Sequence, residues 1–279
     1  MTGSSGPKVG SIVAEHLAGQ HELVGVDAAP GRLTRHAIDI NDLNEAAWRP
    51  LLEGVDAVIH FAALHAPDRE TRSRSEFIQT NVRATSCLLE AARCCGVRRF
   101  LLASSTSVYG RAMRPSGNEA VWVTEALVAD AEDIYDETKL AAEQLCREAF
   151  AADFTTAALR FSRSFPEPLP SMALYRLYRG VDARDVAQAF ASGLEAQLLQ
   201  FEALNISAAT PFLPSDCQTL LADAPAVLQQ RCPELVAAFT QCQWALPQSI
   251  DRVYVIDRAR KVLNYAPAFS WRQALATAA

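Results

Sequence analysis

The 279-residue chain has no long apolar run and little concentrated positive charge. No segment approaches the roughly 18 to 20 uninterrupted apolar residues of a membrane span. The first residues carry no basic stretch leading into an apolar one, so a soluble, cytoplasmic protein is expected. Its net charge is -6, and its densest basic stretches are Arg98-Arg99 and Arg258-Ala259-Arg260-Lys261. That leaves no electrostatic footprint for nucleic acid. All five histidines fall within the first 65 residues, which disfavours a hydrolytic triad or histidine-rich metal centre built late in the chain. The seven cysteines, an odd number, contain no C-x-x-C spacing. They read as reduced small hydrophobes, not as a disulfide framework or zinc site, and no metal is expected. Internal repeats and low-complexity tracts are absent.

What remains is a sequence that is 50% hydrophobic and long enough for one large α/β unit, or for a core domain with a smaller partner. Short apolar runs at 23–27, 57–61, 100–104, 156–161 and 203–207 alternate with helical patterns at 11–17, 45–52, 76–95, 135–151 and 184–196. This alternation predicts a parallel sheet covered on both faces. In the helical pattern at 76–95, Phe77, Ile78, Val82, Leu88, Leu89 and Ala92 form one apolar stripe, which core packing explains. Residues 111–133 are polar and acidic and include Pro115, Gly117 and Asn118, the composition of a long functional loop. Residues 164–171 contain Pro166, Pro168 and Pro170 and cannot be a helix interior. Trp244 and Trp271 read as packing residues.

The chain opens on Thr2, Gly3, Gly6 and Gly10 ahead of an apolar helical pattern. Backbone N–H groups and the dipole at such a helix start attract a pyrophosphate, and glycine allows its close approach. A Gly/Ser-rich disordered start is the other reading. The spacing is irregular, because Pro7, Lys8 and Val9 separate the second and third glycines where two residues are usual. Only Met1 precedes Thr2, so the central first strand of a dinucleotide fold is missing. The gap amounts to about five apolar residues, each worth roughly 1.5 to 3 kcal/mol when buried. The expectation is a functional chain that begins several residues upstream, or another segment filling the gap. Asp27 ends the next apolar run, where an acid meets the adenosine ribose hydroxyls and repels a 2′-phosphate. This favours NAD, although Lys8 and Arg32 lie close enough in sequence to leave NADP open. Without the glycine loop Asp27 is equally an ordinary loop acid.

Tyr135 and Lys139 stand four residues apart at the head of a helical pattern and so project from one face. A cation beside a tyrosine favours the phenolate, making it a proton acceptor nearer neutral pH. Ser104, Ser105 and Ser107 lie some thirty residues earlier, and a hydroxyl among them can hold a substrate oxygen. The same spacing also fits a surface lysine beside a half-buried tyrosine.

With these residues in order, the chain resembles the extended short-chain dehydrogenase/reductase family, also called the NAD-dependent epimerase/dehydratase family. Val58-Ile59-His60-Phe61-Ala62-Ala63 is similar to the family's fourth strand, where the paired alanines let the dinucleotide pass close to the backbone. Asp39-Ile40 is placed like the family's adenine contact. Asn81, in Asn81-Val82-Arg83-Ala84-Thr85, resembles the asparagine that braces the active site. Ser104-Ser105-Thr106-Ser107-Val108-Tyr109-Gly110 is similar to the strand end that presents the substrate-binding hydroxyl, and its position four before Tyr109 selects Ser105. Ser104 and Ser107 then read as loop hydrogen-bonders, and His60 as a structural strand-end histidine. Residues 181–187 and 256–259 resemble segments on the substrate side.

The resemblance implies a Rossmann-like doubly wound parallel sheet at residues 1–160. A small C-terminal substrate-side subdomain would follow within 161–279, with 184–209 returning to the sheet. It also implies catalysis by Ser105, Tyr135, Lys139 and Asn81. NAD would be held by Gly3, Gly6, Gly10, Asp27, Asp39, Ile40, Ala62, Ala63, Tyr135 and Lys139. The helices at 76–95 and 135–151 pair across a dimer axis in many members, so a homodimer is expected.

Two departures narrow the chemistry. Family dehydratases place an acidic pair directly after the serine or threonine, but Thr106 and Ser107 stand here. Epimerases usually carry Asn and Gly-Pro after the sixth strand and then a long substrate domain. This chain reads Phe165-Pro166-Glu167-Pro168 and reaches Asp182 after a short connection. That element resembles uronate dehydrogenase locally, whose carboxylate-gripping arginine has Arg163 and Arg176 as nearest candidates here, with Ser171 at the matching place. Arg163 can hold an anion bidentately or pair with a loop acid. The expected activity is NAD-dependent hydride transfer to or from a secondary alcohol or ketone of a small sugar-like substrate. A nucleotide-sugar epimerase with tightly held NAD and a non-catalytic dinucleotide-binding protein are the alternatives.

Overall fold

The computed structural model describes residues 1–6 and 9–276. Pro7 and Lys8, which set the irregular glycine spacing and the possible charge compensation, lie outside the described residues. The first half runs α1 (Gly10–Ala18), β1 (Val26–Asp27), β2 (His36–Ala37), α2 (Glu45–Leu52), β3 (Ala57–His60), α3 (Arg74–Ile78), α4 (Ala84–Cys94) and β4 (Arg99–Ser105). There follow β5 (Val121–Val123), α5 (Ile134–Ala149), β6 (Thr155–Phe161), α6 (Leu169–Tyr178), α7 (Ala183–Glu195) and β7 (Glu202–Ile206). The chain ends with α8 (Cys217–Ala222), α9 (Ala224–Arg231), α10 (Pro233–Gln241), β8 (Arg252–Tyr254), α11 (Asp257–Leu263) and α12 (Trp271–Ala276).

The main sheet is parallel, with β3, β4, β6 and β7 in that order. β1 and β2 form a second parallel pair, and Thr2 bridges both Val26 and His60. The ladder therefore reads β2, β1, Thr2, β3, β4, β6, β7. The chain leaves Thr2 toward β1 and β2 and then crosses to β3 on its other side. This reversal makes Thr2-Gly3 a switch point, where the crevice of a doubly wound sheet opens. Along β4 the side chains alternate between two cores, as strand geometry requires. Leu101 and Ala103 pack with α1, α7 and α11, whereas Phe100 and Leu102 pack with α2, α4 and α5. Burial on both faces explains why these strands are continuous apolar runs.

Several boundaries differ from the sequence reading. The strand expected at 23–27 is paired only at Val26–Asp27. Just before it, Val24 O accepts from the Met1 nitrogen and Gly25 O from Arg35 N and His36 N. The helix expected at 76–95 is interrupted by a π-helical turn at Gln79–Arg83. Strand β5 rises out of the expected loop at 111–133 and pairs with β8. Pro170 sits in the first turn of α6, where its missing N–H costs nothing. A separate core is formed by α6, α8, α9, α10 and α12, with Trp271 buried and Trp244 partly buried. All seven cysteines are free. Among the described residues no helix is long and apolar enough to cross a membrane.

Candidate active site

The register places the candidate side chains at one end of the sheet. β4 and β6 pair from Arg99 with Thr155 to Ser105 with Phe161, so Ser105 stands at the carboxyl end of a central strand. Its hydroxyl accepts from Ser107 N at 3.1 Å and caps the following 3-10 turn. Asp133 caps α5 by accepting from the N–H groups of Tyr135 and Asp136, which fixes the turn that carries Tyr135. Tyr135 is buried, and burial pushes its phenol well above the ordinary value; the Ser105 hydroxyl opposes this rise, while Asp136 and Asp133 add to it. Lys139 Nζ lies 5.9 Å from the Tyr135 ring centroid and donates to Ala103 O at 2.9 Å. Burial lowers the lysine to about 8.

The depressed phenolate expected from the Tyr135-Lys139 spacing is therefore not the resting state. Desolvation of the phenol prevails, and the ammonium is turned to a backbone carbonyl. The phenol rests protonated.

Asn81 lies in the π-helical turn with 2% of its surface exposed. Its side chain accepts from Leu64 N at 2.7 Å and donates to Leu64 O at 3.0 Å and to Thr138 Oγ1 at 3.1 Å. It ties the loop after β3 to the residue preceding Lys139, which makes it a positioning residue. His60 is structural: its ring contacts Thr2 Oγ1 at 2.6 Å and Thr85 Oγ1 at 2.9 Å, and burial, followed by Lys139, lowers it to about 3.

The glycine loop meets the end of β1 at the switch point. Asp27 accepts from Ser5 N at 2.9 Å and Ala29 N at 3.0 Å, which joins the glycine loop to the end of β1. Arg32, a possible partner for a 2′-phosphate, pairs with Glu15. Gly3 has φ +70°, and a Cβ there would meet Ala62 N at 2.8 Å. A Cβ on Gly10 would meet Gly3 O at 2.2 Å. At Gly6 the nearest contact would be an ordinary 3.5 Å, so the fold itself does not require glycine there. Among the described residues no side chain caps α1 and no acid occupies its first turn, which leaves its dipole open to an anion. These features fit a dinucleotide pyrophosphate. Ala62 N donates to Thr2 Oγ1 at 3.2 Å, and Ala62 and Ala63 are half-buried beside the loop. Asp39 is exposed and caps a short turn, whereas the Ile40 side chain is buried in the core.

Arg163 pairs with Glu167 and Arg176 with Asp182, so both arginine candidates are engaged. Arg179 went unnoticed in the sequence. It lies 4.2 Å from the Tyr175 ring centroid, its Nε is buried without a hydrogen-bond partner, and no acid among the described residues pairs with it. Its charge, with that of Arg252, acts on Tyr254, which also interacts with Thr106 next to Ser105. A second missed group lies beneath the site. Glu143 accepts from Arg160 Nε at 2.9 Å and Nη2 at 2.6 Å, and also from Ser104. Tyr109 donates to Asn205 at 2.8 Å beside the same arginine. A lone arginine within the apolar run at 156–161 was the available signal.

Residues 1–167 match the model of the NAD dependent epimerase/dehydratase family. A UDP-glucose 4-epimerase of Erwinia amylovora is 37% identical over 109 residues, covering 38% of this chain and 31% of that protein. The matched stretch thus spans about a third of that relative's length. A short-chain dehydrogenase/reductase superfamily protein from Agrobacterium tumefaciens with bound NAD superposes at TM-score 0.69 and 21% identity, covering 99% of this chain and 94% of that one. The UDP-glucuronic acid 4-epimerase from Bacillus cereus in complex with UDP-glucuronic acid and NAD gives 0.67 and 20%, covering 99% and 95%. The latter two likenesses establish the fold. On the family match over more than half its length, the chain belongs to the NAD dependent epimerase/dehydratase family.

Proposed function

We propose that the chain is an NAD-dependent enzyme acting on a secondary hydroxyl of a sugar, and that the sugar is carried as a nucleotide sugar and epimerised. The convergence of Ser105, Tyr135 and Lys139 at the switch-point end of the sheet carries the reading. The UDP-glucose 4-epimerase relative supports the epimerase outcome. Bound NAD would take up and return the hydride. Gly3, Gly6, Gly10 and the start of α1 would face its pyrophosphate, and Asp27 its adenosine ribose. Asp39 and Ile40 would lie on its adenine side and Ala62 and Ala63 along its path, with Tyr135 and Lys139 at the nicotinamide ribose. Ser105 orients the substrate oxygen, and the Tyr135 phenol exchanges a proton with it. Because the phenol rests protonated, it is set to donate to an alkoxide as a ketone is reduced. Removing a proton in the opposite direction calls on the charged Lys139. With Thr106 and Ser107 where dehydratases place acids, elimination of water has no second acid-base pair.

A net dehydrogenase is the second reading, favoured by the short connection from Phe161 to Asp182, which holds only α6. In that case Arg179 is the residue free to meet a sugar carboxylate. Incubation with NAD and a panel of UDP-sugars, sugar acids and free sugars separates the two. Sugar inversion without NADH accumulation identifies the epimerase, and stoichiometric NADH identifies the dehydrogenase. If calorimetry detects neither NAD nor NADP binding, both fail. The same reading makes the chain a homodimer through α3, α4 and α5, which sedimentation equilibrium tests.

A further inference from the structure

We propose that Glu143 is a positioning residue for Lys139: its buried carboxylate is the counter-charge that keeps the Lys139 ammonium charged, and Arg160 and Ser104 hold that carboxylate in place. Tyr135, Lys139 and Glu143 are spaced by four along α5, so they form one stripe on the helix. Three consecutive residues at the end of β4 meet this stripe. The Ser105 hydroxyl interacts with Tyr135, Ala103 O accepts from Lys139 Nζ at 2.9 Å, and Ser104 donates to Glu143. The proton-handling pair thus continues one turn deeper into the core, to a carboxylate that is 4% exposed.

Lys139 and Arg160 are both buried cations, and Glu143 is the carboxylate that acts on the two. Arg160 reaches it from β6 as a fork, with Nε donating to one oxygen at 2.9 Å and Nη2 to the other at 2.6 Å. That bidentate geometry fixes the plane of the carboxylate. Arg160 is itself held against the Tyr109 ring, whose hydroxyl donates to Asn205 on β7. A buried ion pair is often replaceable by apolar residues without loss of stability, which points to a use for the charge itself.

Lys139 is where that charge is used. A carbonyl offsets an ammonium only in part; burial lowers the lysine to about 8, and the Glu143 carboxylate is the largest influence opposing the fall. The titratable groups that interact with Lys139 are Tyr135, Glu143 and Cys146 on α5 and His60 on β3, with Arg160 on β6 paired to Glu143. Among these Glu143 alone is anionic at neutral pH, because burial holds His60 neutral and raises both the Cys146 thiol and the Tyr135 phenol.

The chain has three lysines, Lys8, Lys139 and Lys261, so isotopic carbon labelling of lysine gives a simple NMR spectrum in which Lys139→Met identifies the Lys139 signal. Titration of that signal with pH reads the ammonium directly and needs neither substrate nor NAD. Glu143→Gln removes the charge with little change of shape and leaves Arg160 unopposed, so the Lys139 midpoint should fall by at least about one pH unit. Glu143→Asp disturbs the same fork but keeps the charge, and its midpoint should stay within about 0.3 unit of the wild type. If Glu143→Gln does not fold, the double variant Glu143→Gln with Arg160→Met takes its place, with a fall of at least about half a unit. An unmoved midpoint in the glutamine variants would overturn the proposal. So would an equal fall in the glutamine and aspartate variants, since packing and not charge would then be responsible. Only the consequence for turnover rests on the proposed function: the alkaline limb of kcat should move down with Glu143→Gln by the same amount. A shifted Lys139 signal in a protein without turnover would discard that function and leave the role of Glu143 standing.

Discussion

Replacing Asn81 by alanine probes how the site is held together. The side chain makes three hydrogen bonds, two part-buried ones to the Leu64 backbone and a buried one to Thr138. Truncation leaves the half-buried Leu64 N–H and carbonyl without these partners, while Thr138 Oγ1 keeps its bonds to Ile134 O and Tyr135 O. A net hydrogen bond is worth about 1 kcal/mol, and a buried group left unsatisfied costs about 1 to 3 kcal/mol. The expected loss is therefore about 3 kcal/mol, within the 5 to 15 kcal/mol typical of a folded domain. Asn81→Ala should remain folded at 25 °C, with a lowered urea midpoint and an unchanged m-value. Asn81→Asp retains the acceptor for Leu64 N but loses both donors, so its loss should be intermediate. Because the freed loop adjoins Lys139, turnover should fall more than NAD affinity. A loss below 1 kcal/mol with unaltered turnover would refute the bracing role.

Three further outcomes follow from the same geometry. Burial lowers His60 from its ordinary 6.5 to about 3. The unfolded chain thus binds more protons in that window, and stability should fall as pH drops from 6.5 toward 3. Urea titration at pH 7 and pH 4.5 measures this loss, and a flat profile would contradict the burial of His60. Glu143→Ala leaves Arg160 buried and uncompensated and should cost about 3 to 5 kcal/mol, whereas the double variant Glu143→Leu with Arg160→Met should recover most of it. Calorimetric or urea unfolding of the single and double variants decides this. Arg179→Ala should raise KM for an anionic substrate at least about tenfold while leaving NAD affinity unchanged; equal KM values would remove Arg179 from the substrate side.

Much of this architecture is written in local patterns. The apolar runs at 57–61, 100–104 and 156–161 are buried on both faces, so their composition alone identified them as parallel strands. Tyr135 and Lys139 were visible because one helical turn fixes their relation. The interactions that set their protonation were not visible, since they come from distant segments: Ala103 receives the lysine, and burial raises the phenol. Arg179 escaped notice for the same reason. Its neighbours in the chain resemble those of Arg163 and Arg176, and only the fold shows which arginines are paired.

The proposed function makes Tyr135, Ser105 and Lys139 a hydride-transfer centre served by NAD. The most direct measurement follows UDP-glucose and NAD with the purified protein by proton NMR of the sugar and NADH absorbance together, for the wild-type chain and Tyr135→Phe. The account predicts sugar inversion or NADH formation that falls by about 10²- to 10⁴-fold in the variant while NAD binding persists. Equal turnover by the two proteins would contradict it.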